Sequence, residues 1–146
     1  MNATLTQDDP IRSVNNIPAS ERPSVLVADD SPKVREILIG SLRELGIEPI
    51  VATKASEAIR LAGQLHPDLI LLDGLLPEMH GFEVARFIRH FDKDYRPRIA
   101  IITAVYKNLR YENEARLRYG VDAYLVKPVT IAQLASEVQQ AKHECA

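Results

Sequence analysis

The sequence predicts an α/β domain in which five parallel strands form a doubly wound sheet with five helices. Three observations support this prediction. Short apolar segments alternate with segments of helical period five times along the chain, which is the pattern of strand–helix units. The apolar segments are continuous, as expected for strands that are buried on both faces. The length of 146 residues suits one domain with a substantial core.

The first 23 residues lack the pattern of a folded element. They are rich in Asp, Asn, Ser, Thr and Pro, and their apolar residues are scattered singly. Such a segment buries too little apolar surface to offset the entropy that ordering removes. We therefore expect a flexible N-terminal arm over residues 1–23 and a folded domain over residues 24–144.

The first strand–helix unit follows this arm. The apolar run Val25–Ala28 predicts a buried strand. Ser31 followed by Pro32 predicts the start of a helix. Ser caps the first turn, and the N–H group that Pro lacks would have no partner at the first helical position. Apolar residues then recur at helical spacing until Gly46, which ends the helix.

Two further units occupy the middle of the chain. Residues 47–52 are less apolar than the other strand segments and predict a strand near the sheet edge. Residues 55–66 predict an amphipathic helix, which Pro67 ends. Four consecutive apolar residues within 68–73 predict a central strand, and the spacing of apolar residues over 84–88 predicts the next helix.

The last two units are of unequal clarity. Arg98–Thr103 predicts a buried strand, and residues 108–119 predict a helix with an uneven apolar face. Ala123–Val126 predicts the fifth strand. Thr130 and Gln133 have the spacing of a capping box and predict the start of the last helix.

Polar residues follow four of the five predicted strands. They are Asp29 with Asp30, Asp73, Thr103 and Lys127. Parallel strands bring their carboxyl ends to one edge of the sheet, so these side chains are expected to converge. Three carboxylates repel one another and attract a hard cation such as Mg²⁺, while an amine and a hydroxyl suit a phosphoryl group. Each residue alone has an ordinary structural role, but together they favour phosphoryl transfer.

Composition excludes several classes of function. A net charge of -2 gives no basic field for strong attraction to nucleic acid or to a membrane. Cys145 is the only cysteine, which excludes a disulfide framework within the chain and fits a reducing compartment. The sequence shows neither a signal peptide nor a membrane-spanning run, so we expect a cytoplasmic protein.

In this order, these residues resemble the receiver domain of bacterial two-component response regulators, and the chain is similar to the single-domain chemotaxis type. The resemblance covers about residues 24–142. The matching positions are the acidic pair Asp29 and Asp30, the phosphoacceptor Asp73, Thr103 with the small Ala104, the switch aromatic Tyr124, and Lys127 with Pro128.

The resemblance implies a flavodoxin-like sheet of order 2-1-3-4-5 and a cis peptide bond before Pro128. It also implies that Asp73 accepts a phosphoryl group from a histidine kinase, a phosphotransfer protein or a small phosphodonor and becomes an acyl phosphate. The implied ligands of Mg²⁺ are Asp30 and Asp73 directly, Asp29 through water, and the backbone carbonyl of Leu75.

The resemblance further implies how phosphorylation is read. Thr103, Ala104 and Lys127 would bind the phosphoryl group, and movement of Thr103 would let Tyr124 turn inward. This change would remodel the surface formed by the fourth predicted helix, the fifth strand and the last helix, where a protein partner is expected. The chain would be a signalling switch that catalyses only its own phosphorylation and dephosphorylation.

Some positions depart from the family pattern. Gly74 follows the phosphoacceptor where the family more often has a branched apolar residue, and His80 stands where an acid is common. Leu75 and Val105 place apolar side chains beside the site. We expect these two side chains to shield the acyl phosphate from water and to slow its hydrolysis.

Two other functions compete with a phosphorylatable switch. A pseudo-receiver would keep the fold as a docking module that does not respond to phosphate, but the intact set of site residues argues against it. A phosphatase of the haloacid dehalogenase type would need a second Asp where Leu75 stands. The sequence is compatible both with a stand-alone regulator and with the receiver part of a longer protein.

Overall fold

The computed structural model describes residues 9–104 and 119–145, and it contains one parallel sheet of order β2-β1-β3-β4-β5. This order is the expected one. Strand β2 lies at the edge, as its lower apolarity predicted, but it begins three residues later than expected. The strands are β1 Val25–Ala28, β2 Ile50–Ala52, β3 Leu69–Asp73, β4 Arg98–Thr103 and β5 Ala123–Val126.

Five α-helices and one short 3-10 turn, Ala19–Glu21, lie within the described residues. The capping box predicted before the last helix is present, because Gln133 N donates to Thr130 Oγ1 and Thr130 N donates to Gln133 Oε1. The helix expected over 108–119 falls outside the described residues, apart from Tyr119. The helices are α1 Pro10–Asn15, α2 Pro32–Glu44, α3 Ala55–Leu65, α4 Gly81–Phe91 and α5 Ile131–Cys145.

The sheet has a hydrophobic layer on each face, which confirms the doubly wound architecture. Alternate residues of β3 point to opposite faces, as a strand requires. Ile70 and Leu72 join the layer formed with α3 and α4, whereas Leu69 and Leu71 join the layer formed with α2 and α5. All four side chains are buried. None of the helices in the described ranges is long and apolar enough to cross a membrane.

Residues 9–23 are folded against the domain, which corrects the expectation of a flexible arm there. Asp9 caps α1, and Val14 is fully buried in the layer beneath α2 and α5. The segment after α1 is held by the Arg22 guanidinium, which donates hydrogen bonds to the backbone carbonyls of Asn15, Ile17 and Gly46. The scattered apolar residues of this segment gain their burial from the rest of the domain, which offsets the ordering entropy.

Candidate functional site

The register of the sheet brings the predicted polar residues to one edge. Ala28 pairs with Leu72, and Thr103 pairs with Val126. Asp29 and Asp73 follow the first pair. Thr103 ends β4 within the second pair, and Lys127 follows that pair, so all four residues lie at the carboxyl edge of the sheet. The register accounts for the convergence of Asp29, Asp73, Thr103 and Lys127 that the sequence predicted.

The three carboxylates form a compact cluster. One oxygen from each of Asp29, Asp30 and Asp73 lies within 4.8 Å of the others. Asp29 and Asp73 are buried, whereas Asp30 is exposed. Backbone contacts hold Asp29 in place, because its Oδ1 accepts from Ser31 N at 2.9 Å and its carbonyl accepts from the Arg35 guanidinium at 2.9 Å.

Lys127 provides a positive charge at this cluster. Its Nζ lies 3.0 Å from Asp29 Oδ2 and 3.4 Å from Asp73 Oδ2. The backbone amide of Lys127 donates to the Thr103 carbonyl, which fixes the start of this segment beside β4. The peptide bond between Lys127 and Pro128 is cis, as the resemblance implied. One ammonium group therefore faces two buried carboxylates.

The environment of Asp73 disfavours its charged form. Burial raises the pKa of the Asp73 carboxyl above its ordinary value, and the negative charge of Asp29 raises it further. A hydrogen bond from Leu75 N to Asp73 Oδ1 and the charge of Lys127 act in the opposite direction. On balance the pKa of Asp73 is raised, with burial as the largest cause.

The residues present fit a magnesium ion. Asp29 Oδ2 is buried and accepts no hydrogen bond among the described residues, although Lys127 lies beside it. Three clustered carboxylates form an all-oxygen donor set, which is the kind that Mg²⁺ prefers. Leu75 follows closely on the cluster, since its amide donates to Asp73, and its side chain is 56% exposed.

The loop after β3 is closed tightly at its base. Gly81 N donates to the Gly74 carbonyl at 3.0 Å, and Leu75 forms an antiparallel bridge with His80. A Cβ atom at Gly81 would overlap the Asp73 carbonyl oxygen. The absence of a side chain at Gly81 therefore lets α4 begin directly against the candidate phosphoacceptor.

Thr103 and Ala104 lie at the end of β4, beside this loop. The Thr103 side chain is buried, whereas Ala104 is exposed. A Cβ atom at Gly74 would lie 3.4 Å from both Cβ and Oγ1 of Thr103. Gly74 therefore leaves more room around Thr103 than the branched residue more common in the family would. Val105, the second residue expected to shield the site, lies outside the described part of the chain.

Tyr124 is already directed inward. Its side chain is 6% exposed and stacks on Phe82, with ring centroids 6.2 Å apart. Phe82 also contacts Tyr119, at a centroid distance of 5.6 Å. The inward turn implied for Tyr124 on phosphorylation therefore corresponds to the arrangement that this structure already contains.

Two residues that shape the site were not predicted from the sequence. Arg35 fixes the Asp29 backbone, and Gly81 permits the close approach of α4 to Asp73. Arg35 carries no distinctive signal, because a basic residue one turn into a helix is usually solvated. For Gly81 the signal was a glycine at the end of a short loop. His80 lies outside the carboxylate cluster.

Comparison with known proteins agrees with the resemblance seen in the sequence. Residues 25–139 match the family model described as the response regulator receiver domain. The chain is 36% identical over 117 residues to a 14.6 kDa protein from the sodA1 3′ region of Leptolyngbya boryana, a match that covers 80% of this chain and 87% of that protein.

Two further similarities connect the chain to response regulators. It is 35% identical over 118 residues to the DNA-binding response regulator MtrA of Mycolicibacterium smegmatis, and the match covers 81% of this chain but 50% of MtrA. The receiver domain of the Francisella response regulator 1452 superposes with a TM-score of 0.76 at 28% identity, covering 85% of this chain and 99% of that domain. This chain thus spans about half the length of MtrA. Its fold is similar to that of the Francisella receiver domain over nearly the whole of that domain.

Proposed function

The chain belongs to the response regulator receiver family, and on this basis we propose that it is a phosphorylatable switch of a two-component phosphorelay, with Asp73 as the phosphoacceptor. The observation that carries the proposal is the convergence of charge at one sheet edge. Lys127 Nζ lies within 3.4 Å of both Asp29 and Asp73, and Asp30 completes the carboxylate cluster. Such an arrangement suits the transfer and retention of a phosphoryl group.

In the proposed reaction, the Asp73 carboxylate attacks the phosphorus of a phosphohistidine or of a small phosphodonor. A P–O bond to Asp73 forms, the bond from phosphorus to the donor breaks, and the donor leaves with the electron pair. A magnesium ion held by Asp30, Asp73, the Leu75 carbonyl and, through water, Asp29 would neutralise part of the negative charge. Lys127 binds a phosphoryl oxygen of the product. In doing so it exchanges its contact with Asp29 for one with the phosphoryl group.

The proposed output begins at Thr103 and Tyr124. Thr103 and Ala104 bind the phosphoryl group at the end of β4, and the movement of Thr103 favours the inward position of Tyr124. Because Tyr124 is 6% exposed in this structure, phosphorylation would stabilise an arrangement that the protein can already adopt. The surface that includes β5 and α5 would present the change to a downstream protein, and the helix predicted from the sequence over 108–119 lies, apart from Tyr119, outside the described residues.

The proposed partners are a histidine kinase or phosphotransfer protein as donor and a protein as receiver of the signal, both in the cytoplasm. DNA binding belongs to the printed description of MtrA. For this chain, a net charge of -2 supports recognition of protein rather than nucleic acid. The intact carboxylate cluster and its lysine argue against a docking module that does not respond to phosphate.

The chemical stability of the product tests this proposal. Wild type and an Asp73→Ala variant are incubated with Mg²⁺ and a radiolabelled phosphodonor, and the bound label is then treated with hydroxylamine, which cleaves acyl phosphates. We expect hydroxylamine-sensitive label on wild type and none on the variant. An Asp94→Ala variant, which removes an exposed acid on the loop before β4, is the control and should be labelled normally. Retention of label by Asp73→Ala would place the nucleophile elsewhere.

A further inference from the structure

We propose that Glu78 is a positioning residue that fastens the loop of residues 74–80 to the N-terminus of α3 and so fixes both Leu75 and the Asp73 carboxylate at the cation site. The inference rests on the proposed function, since it assigns Glu78 a role in Mg²⁺ binding. Glu78 itself is exposed at the tip of the loop and does not belong to the carboxylate cluster.

Two hydrogen bonds join the loop tip to the first turn of α3. Ser56 N donates to Glu78 Oε1 at 2.9 Å, and Ala55 N donates to the Pro77 carbonyl at 3.4 Å. The first N–H groups of a helix have no partner within the helix, so they are available to a neighbouring loop. A carboxylate is also favoured at this end of a helix by the helix dipole. The loop therefore supplies a cap to α3 from another part of the chain.

The cap of α3 has two separate contributors. Lys54, at the N-cap position, makes no capping hydrogen bond with its side chain. Glu57 accepts a hydrogen bond from the backbone N of Thr53 at 2.8 Å, and Thr53 is the residue before the N-cap. Glu78 serves Ser56, inside the helix. The two carboxylates thus act on the same helix end, but only Glu78 belongs to the loop that carries Leu75.

The backbone at Glu78 indicates that the contact holds the loop in a specific conformation. Glu78 has a φ of 83°, in the left-handed region, where a side chain with a Cβ atom is disfavoured. A glycine would adopt this conformation without strain. The chain nevertheless has a glutamate here, and its side chain makes the contact with Ser56. The conformation is therefore held by a contact that glycine could not make.

The position of the tip matters because the base of the loop touches the site. Leu75 N donates to Asp73 Oδ1 at 3.1 Å, and Leu75 also pairs with His80. Gly81 begins α4 against the Asp73 carbonyl. Because the loop is short and closed at its base, a displacement of the tip would also move Leu75. It would change the position of the Leu75 carbonyl and the hydrogen bond from Leu75 N to Asp73.

Two variants of Glu78 and one control test the inference. Glu78→Gly deletes the cap but relieves the strained backbone, so a loss of Mg²⁺ binding cannot be attributed to added strain. Glu78→Gln keeps an oxygen that can accept from Ser56 N. Glu57→Ala removes the other carboxylate at the same helix end and leaves the loop contact intact. Mg²⁺ affinity is measured by titration calorimetry, and amide hydrogen exchange at Ser56 and Leu75 is measured in the cation-free protein.

We expect Glu78→Gly to bind Mg²⁺ roughly tenfold more weakly, at the lower end of the effect of partners outside the ligand set. The Ser56 and Leu75 amides should exchange faster in this variant even without Mg²⁺. Glu78→Gln and Glu57→Ala should both bind Mg²⁺ with the affinity of wild type. Wild-type affinity and exchange in Glu78→Gly would overturn the inference alone, whereas a wild type that binds no Mg²⁺ would overturn the proposed function together with it.

Discussion

Replacing Lys127 by methionine should destabilise the fold in the absence of divalent cations and increase its response to them. Lys127 Nζ lies 3.0 Å from Asp29 Oδ2 and 3.4 Å from Asp73 Oδ2, so each attraction amounts to about 5 kcal/mol at an effective dielectric constant of ~20. Desolvation of the three groups offsets much of this sum. The cost of leaving buried charge without its partner points to a net loss of about 3 kcal/mol in the free energy of unfolding.

Addition of Mg²⁺ should narrow this difference. The cation supplies the positive charge that the variant lacks, and in wild type it must share the carboxylates with the lysine. Lys127→Met should therefore bind Mg²⁺ more tightly than wild type and gain more stability from it, because a ligand that binds only the folded state stabilises according to its affinity.

Urea unfolding of both proteins, in EDTA and in saturating Mg²⁺, measures these effects. Arg43→Met is the matched control, because Arg43 forms an ion pair with Glu48 in which both side chains are more than half exposed. The control should show no measurable loss and no added response to Mg²⁺. Equal stability of Lys127→Met and wild type in EDTA, or a difference that Mg²⁺ leaves unchanged, would refute the electrostatic reasoning.

Four further predictions concern the loop after β3, the N-terminal helix and Asp73. Gly81→Ala should lower the free energy of unfolding by about 2 kcal/mol, because its Cβ would overlap the Asp73 carbonyl; Gly40→Ala, on an open helix face, should not lower it in the same denaturation assay. Leu75→Asn should shorten the lifetime of the phosphorylated protein after donor removal, since it replaces an apolar side chain beside the site, and an unchanged decay rate would contradict the shielding role. Val14→Ala should cost about 2 kcal/mol by thermal or urea unfolding because Val14 is fully buried, whereas a flexible arm predicts no loss. Asp73→Asn should be more stable than wild type at neutral pH without divalent cations, and the gap should close in acid, because the raised pKa of Asp73 means that protonation favours the folded state.

The convergent site could be predicted from the sequence because it depends on strand ends. Continuous apolar runs marked β1, β3 and β4, and the residues after a parallel strand reach the same edge whatever the details of packing. Asp29, Asp73 and Lys127 could therefore be placed together without knowledge of any side-chain contact.

The contacts made by Arg22 and Glu78 could not be predicted in this way. Arg22 binds the carbonyls of Asn15, Ile17 and Gly46, and Glu78 binds the first turn of a helix 22 residues earlier in the chain. No local spacing encodes such pairs. The helix α1 was missed because its apolar residues lie in a polar segment, and the burial of Val14 arises from α5 and the sheet rather than from the segment itself.

The central claim, that Asp73 accepts a phosphoryl group, is tested most directly by intact mass. Wild type, Asp73→Ala and the Asp94→Ala control are incubated with Mg²⁺ and acetyl phosphate, and circular dichroism establishes that each is folded. The account predicts one phosphate-sized adduct on wild type and on the control, and none on Asp73→Ala. A folded wild type that gains no adduct, or an Asp73→Ala variant that gains one, would contradict it.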